Sequence, residues 1–186
     1  MGILLFCTAQ EAKSVVPEVL ATEQSQGIDL YVLAQYRNPD QARQNLTVEL
    51  TDGETFESDF IGAREVECQA WAQQQILLNR SFDQELIAIL DRRSALDKTI
   101  IMQFFNQKPG LDFPPYGTLP PEENVWYSFR IPYKDAFALV AALTETALDV
   151  AYPIYFGRKE EFTNEQGVFE VHRAEVAAAG KDQGVA

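Results

Sequence analysis

The 186-residue, 21.0 kDa chain is 46% hydrophobic and 11% aromatic, enough to close an apolar core and too much for wholesale disorder. Twenty-eight acidic against fifteen basic side chains give a formal charge of -13, which argues against direct binding to nucleic acid or to an anionic membrane. Residues 1–93 carry 15 acidic and 7 basic groups and residues 94–186 carry 13 and 8, so neither half reads as a basic binding module or a long acidic tail; a DNA mimic fits the net charge but needs its carboxylates exposed along one continuous surface.

GILLFC (2–7) predicts a short buried strand. It has no basic region before it and no cleavage pattern after it, and Phe6 stands where a myristoylation motif needs Ser or Thr, so the expected compartment is the cytoplasm. Ala12, Val15, Val16, Val19 and Leu20 recur at helical spacing and predict a helix over 10–24, and the branched and aromatic run 28–37 predicts a strand inside a sheet. Leu46, Val48 and Leu50 alternate with polar residues ahead of the Asp52-Gly53 turn pair, predicting a hairpin across 46–58. Ala63, Val66, Ala70, Trp71 and 76–78 then predict a helix buried on one side. A further helix is expected over 81–93, with Ser81 and Gln84 as a capping box, Leu86, Ile87, Ile89 and Leu90 as its core stripe, and Arg92 and Arg93 at its end.

TIIMQFF (99–105) reads as an interior strand. Five prolines and two glycines in 106–124 predict that no regular element crosses that stretch. A strand over 125–131, a helix over 133–147 with Ala136, Leu139, Val140, Leu143 and Ala147 on one stripe, and a strand over 149–156 make a strand-helix-strand unit. Pro153 confines its last strand to an edge. Residues 168–176 fit a last strand or a short helix, and 177–186 a flexible tail. The expected fold is α+β, a compact mixed or mainly antiparallel sheet with about four helices and one strand-helix-strand unit, in one domain over 1–176.

Phosphate-loop, dinucleotide-binding, EF-hand, zinc-protease and serine-hydrolase motifs are all missing from the sequence. Cys7 and Cys68 sit among apolar residues with no CxxC spacing and read as buried thiols, and a single histidine, His172, cannot build a multi-histidine metal site. Alternation would set Glu170 beside His172 on a strand. Neither metal nor cofactor is expected, and no carboxylate pair stands out as an acid and base.

Two surfaces are candidates. Pro114, Pro115, Pro120 and Pro121 stiffen the 112–123 loop, which would present Phe113, Tyr116 and Leu119, with Trp126 beyond it, to a protein partner or a second copy. The competing reading makes the loop a cover for the sheet. The second candidate is an arginine-aromatic pocket of Tyr127, Arg130, Tyr155 and Arg158, in which two guanidinium groups at strand ends would take a small anion. The leading expectation is a small protein-interaction or regulatory protein without catalytic activity, and the alternative a small-molecule or anion-binding enzyme.

Overall fold

The apolar runs assemble into a five-stranded mixed sheet with helices on both faces. The computed structural model describes residues 2–24, 30–38, 49–50, 55–78 and 82–182. Strands β1 (Gly2–Cys7), β2 (Tyr31–Ala34), β3 (Phe82–Leu90), β4 (Thr99–Asn106) and β7 (Val125–Pro132) lie in the order β2-β1-β3-β4-β7. β1 is parallel to β2 and β3, while β3/β4 and β4/β7 are antiparallel. A two-residue ribbon, β5 (Leu111–Asp112) with β6 (Thr118–Leu119), forms in the loop where no regular element was expected.

β1 shows why its sequence is apolar throughout. Ile3, Leu5 and Cys7 enter one core, and Leu4 and Phe6 enter the other, so both faces of the strand are dry. A 3₁₀ turn (Glu11–Val15) and α1 (Val16–Gln24) return the chain to β2 and pack Val16, Val19 and Leu20 on the first face. α2 (Glu65–Leu78) lies between β2 and β3 in sequence and packs on the second face. The strand-helix-strand connections between parallel strands are therefore at the N-terminal end, not over 125–156. α2 also buries a different stripe from the expected one: Cys68, Trp71, Ala72 and Gln75 face inward, while Val66 is 56% exposed. The rings of Phe6, Phe60 and Trp71 decide this, meeting edge to face with centroids 4.8 to 5.8 Å apart.

Residues 82–90 are a strand, not the expected helix. Leu86 to Leu90 are five consecutive buried residues laddered between β1 and β4, with Leu86, Ala88 and Leu90 on one face and Ile87 and Ile89 on the other. A helix would leave part of such a run exposed. The Asp83 carboxylate accepts the backbone N–H groups of Glu85 and Leu86, where the register with β1 shifts. α3 (Ser94–Asp97) follows, and Lys98 turns the chain into β4 at φ 57°. Ser81, the expected cap, and most of the expected 46–58 hairpin lie outside the described residues; 55–58 carry no strand.

After β7 a 3₁₀ turn (Tyr133–Asp135) leads into α4 (Ala136–Thr144), as the spacing predicts. The expected strand over 149–156 is instead α5 (Leu148–Tyr152) running into a π-helical turn, Pro153–Gly157. Pro153 stands at the first position of the π-helical turn, and Ala151 to Tyr155 are all buried, which alternation across one half-buried sheet would not produce. Residues 168–170 lead to α6 (Val171–Asp182), so 177–182 are helical rather than part of a loose tail. The α+β class holds with about six helices instead of four. No described helix is long and apolar enough to cross a membrane.

Cys7 and Cys68 are both fully buried, on opposite faces of the sheet, and burial pushes their thiols up to about 11 and about 12. Ellman's reagent is therefore expected to label neither thiol in the folded protein and both in denaturant; rapid labelling under native conditions would contradict this packing. Phe6→Ala, which empties the ring cluster, is expected to cost about 3–5 kcal/mol, read as a lower urea midpoint at unchanged slope.

Candidate functional site

The structure scatters the residues proposed from the sequence. In the proline-rich loop Leu119 is 6% exposed, and Phe113 and Tyr116 are half-buried against the same core. The Phe113 ring stands edge to face on Tyr152, 6.2 Å away, and a Cβ on Gly157 would meet Tyr116 and Leu119 at 3.0 and 3.1 Å. The loop thus lies on the π-helical turn. Trp126 is on the other face of the sheet, stacked at 5.0 Å on Phe105.

The arginine-aromatic set does not converge. Tyr127 and Arg130 sit on opposite faces of β7, and Arg158 follows a π-helical turn rather than a strand paired with β7. Arg130 is 14% exposed and grips Asp91 with Nη2–Oδ2 at 2.5 Å while Nη1 donates to Thr99 at 2.8 Å. Asp91 also accepts the Ser94 backbone N–H and hydroxyl at 3.0 and 3.1 Å. Burial alone would raise the Asp91 carboxyl, but the bonds and charge of Arg130, with Ser94, outweigh it and hold the group below its ordinary value. Arg158 is clamped by Glu161 at 2.7 and 2.9 Å and lies over the Phe162 ring. Tyr127 exchanges hydrogen bonds with the Glu122 backbone. Both guanidinium groups are thus held by carboxylates of the chain itself.

His172 is on α6, 88% exposed, and faces Glu175 at 3.7 Å, whereas Glu170 pairs with Arg173. Among the described residues no group of three His, Cys, Asp or Glu side chains is arranged to hold a metal ion. In a cavity of about 530 Å³ beside Lys98, Tyr133 and Lys134, Lys98 donates to Glu18 at 2.9 Å and Asp97 accepts from Arg93 and Thr99.

Tyr155 alone of the eight candidates retains an unmet requirement. It is fully buried, and its hydroxyl has no hydrogen-bond partner among the described residues. Tyr155 is one of the residues that line a groove of about 480 Å³ between α4, α5 and α6. Ala138, Ala141 and Ala142 of α4 and Ala178 and Ala179 of α6 make its apolar walls, and Glu145, Thr146 and Glu175 bring polar groups to it. The alanines of α4 follow helical spacing with Glu145 one turn on, so that wall is readable in AFALVAALTE. The α6 wall is not, because AAAG resembles a tail when taken alone. Burial pushes the Tyr155 phenol well above its ordinary range, and the Glu175 charge acts in the same direction, so the group is a neutral hydroxyl that both donates and accepts.

No protein-family model, curated protein or solved structure matches the chain.

Asp91→Asn is expected to lower stability by about 2 kcal/mol at neutral pH, because it leaves Arg130 half-buried without its counter-charge. Folding lowers the Asp91 pKa, so this contribution is whole above the ordinary value of 3.8 and vanishes as pH falls through the folded value. Urea melts at pH 7 and pH 3 check it: the gap between the two proteins should narrow at the lower pH.

Proposed function

We propose that this protein is a binding protein whose site is the groove between α4, α5 and α6. The observation that carries the reading is that Tyr155, fully buried and with a hydroxyl unpartnered among the described residues, belongs to the lining of an alanine-walled cavity. A buried polar group left unsatisfied costs about 1–3 kcal/mol, and a guest that bonds it recovers that loss on binding. The volume is in the range of small-molecule sites, and the lining has their usual form, apolar walls with a few converging polar groups. This keeps the ligand-binding alternative, with Tyr155 retained and the arginines replaced by the helical walls. Two unpaired cysteines suit a reducing compartment, and we place the protein in the cytoplasm.

A second reading, assembly with another copy of the chain, rests on Phe137, Leu148 and Val176. These are 39%, 38% and 60% exposed on the same three helices. Sedimentation over a hundredfold range of concentration tests it, and a constant monomer mass would remove it.

Uncharged N-phenylnaphthylamine, which brightens in apolar sites, probes the groove directly. Saturable brightening is expected, abolished by Ala141→Leu, whose side chain fills the cavity. Tyr155→Phe should raise the stability of the free protein by about 1 kcal/mol, because it removes the unsatisfied group. A tyrosine kept for packing and internal bonding would instead lose stability on this change. Brightening that survives Ala141→Leu unchanged, or none at all, would overturn the reading.

A further inference from the structure

The chemistry of the groove's ligand follows from the charges set around it. Among the described residues, every ionisable side chain that lines the cavity is acidic or phenolic: Glu145 after the end of α4, Glu175 on α6 and Tyr155. No described lining residue is Lys or Arg, and the basic group paired with the lining is the exposed His172, 3.7 Å from Glu175. A carboxylate or phosphate entering here would meet like charge and find no cationic partner, which disfavours it strongly in a partly desolvated site. A neutral guest would satisfy Tyr155 and leave both carboxylates unused. An ammonium group uses all three, donating to the Tyr155 oxygen and to the carboxylates, and such charge-assisted bonds are the strong ones. The alanine walls accept whatever apolar body carries it.

We propose that the groove selects a small primary amine on an apolar body, held by the Tyr155 hydroxyl and the Glu145 and Glu175 carboxylates. This rests on the groove being the binding site, and it reverses the charge of the ligand expected from the sequence, where two arginines pointed to an anion. The reversal has a structural origin, since Arg130 and Arg158 are neutralised by Asp91 and Glu161, whereas Glu145 has no ion-pair partner among the described residues.

Competition against bound N-phenylnaphthylamine separates the two claims. Hexylammonium, hexanol and hexanoate share one apolar body and differ only in the head group. Hexylammonium is expected to displace the dye at a concentration about tenfold below that of hexanol, equivalent to about 1.4 kcal/mol, with hexanoate weaker than both. Glu175→Gln should abolish the preference of hexylammonium over hexanol while leaving displacement by hexanol unchanged. Glu145→Gln, on the exposed end of α4, should reduce the same preference and serves if the α6 variant is unstable. Equal displacement by hexylammonium and hexanol in the native protein would overturn the amine proposal and leave the groove as a neutral binding site. Absence of dye binding would overturn both.

Discussion

The C-terminal half of the molecule hangs on the packing of one ring. Phe156 meets Phe104 and Phe129 of the sheet at 5.8 and 5.7 Å, Tyr127 at 5.1 Å and Tyr152 at 5.2 Å. That contact pins the π-helical turn to the sheet, and the turn in turn fixes where its neighbours point. Tyr155, one residue earlier, is pressed against Phe169 at 5.6 Å and lines the groove together with residues of α4 and α6. Phe169 also touches Phe129 and Phe162, so the root of α6 is tied to the same aromatic layer. The groove is the space left where three helices converge on this layer with alanines on their facing sides. Small side chains keep the walls apart from the tyrosine, and the aromatic layer keeps the tyrosine from turning to find another partner.

The same half protects the open edge of the sheet. The Phe169 N–H donates to the Arg130 carbonyl at 2.7 Å, and the Lys159 ammonium donates to the Ser128 carbonyl at 2.6 Å while lying over the Phe129 ring. Burial pulls the Lys159 pKa down, with Glu160 opposing it. An inward lysine beside a strand edge discourages another strand from pairing there. Two of the outward carbonyls of β7 are therefore committed, and an added partner strand is a poor fit to this edge. The proline-rich loop is likewise committed: Leu119 and the rings of Phe113 and Tyr116 cover α5 and the π-helical turn, and among the described residues the unmet requirement lies at Tyr155 in the lining of the helical groove.

The parts of the fold legible in the sequence are those where one periodicity dominates. β1, β4, β7, α1 and α4 each show a clean strand or helix pattern, and the structure has them there. Residues 82–90 failed because a strand buried on both faces is apolar without alternation, so LIAIL satisfies a helical template equally well, and its burial depends on β1, some eighty residues away. Residues 149–156 failed for the converse reason. Their aromatic and branched composition suits a strand, but Pro153 opens a helical turn whose stability comes from the sheet beneath it. Tyr155 was identified as a binding residue from its neighbours in sequence, yet its setting depends on α6, assembled from a segment whose composition suggested a tail. Arg130 stands on β7 as expected, whereas Arg158 was misplaced with the 149–156 strand that was to bring it alongside.

The central claim is that Tyr155 meets the guest, and carbon-13 NMR of the protein labelled at the tyrosine ζ-carbon tests it most directly. The chain has 7 tyrosines, and the Tyr155 signal is assigned as the one lost in Tyr155→Phe. On titration with hexylammonium, and separately with hexanol, this signal should move saturably while those of Tyr31 and Tyr133, buried elsewhere in the core, stay fixed. A Tyr155 signal that stays fixed while the guest binds, or shifts spread evenly over all the tyrosines, would contradict the claim.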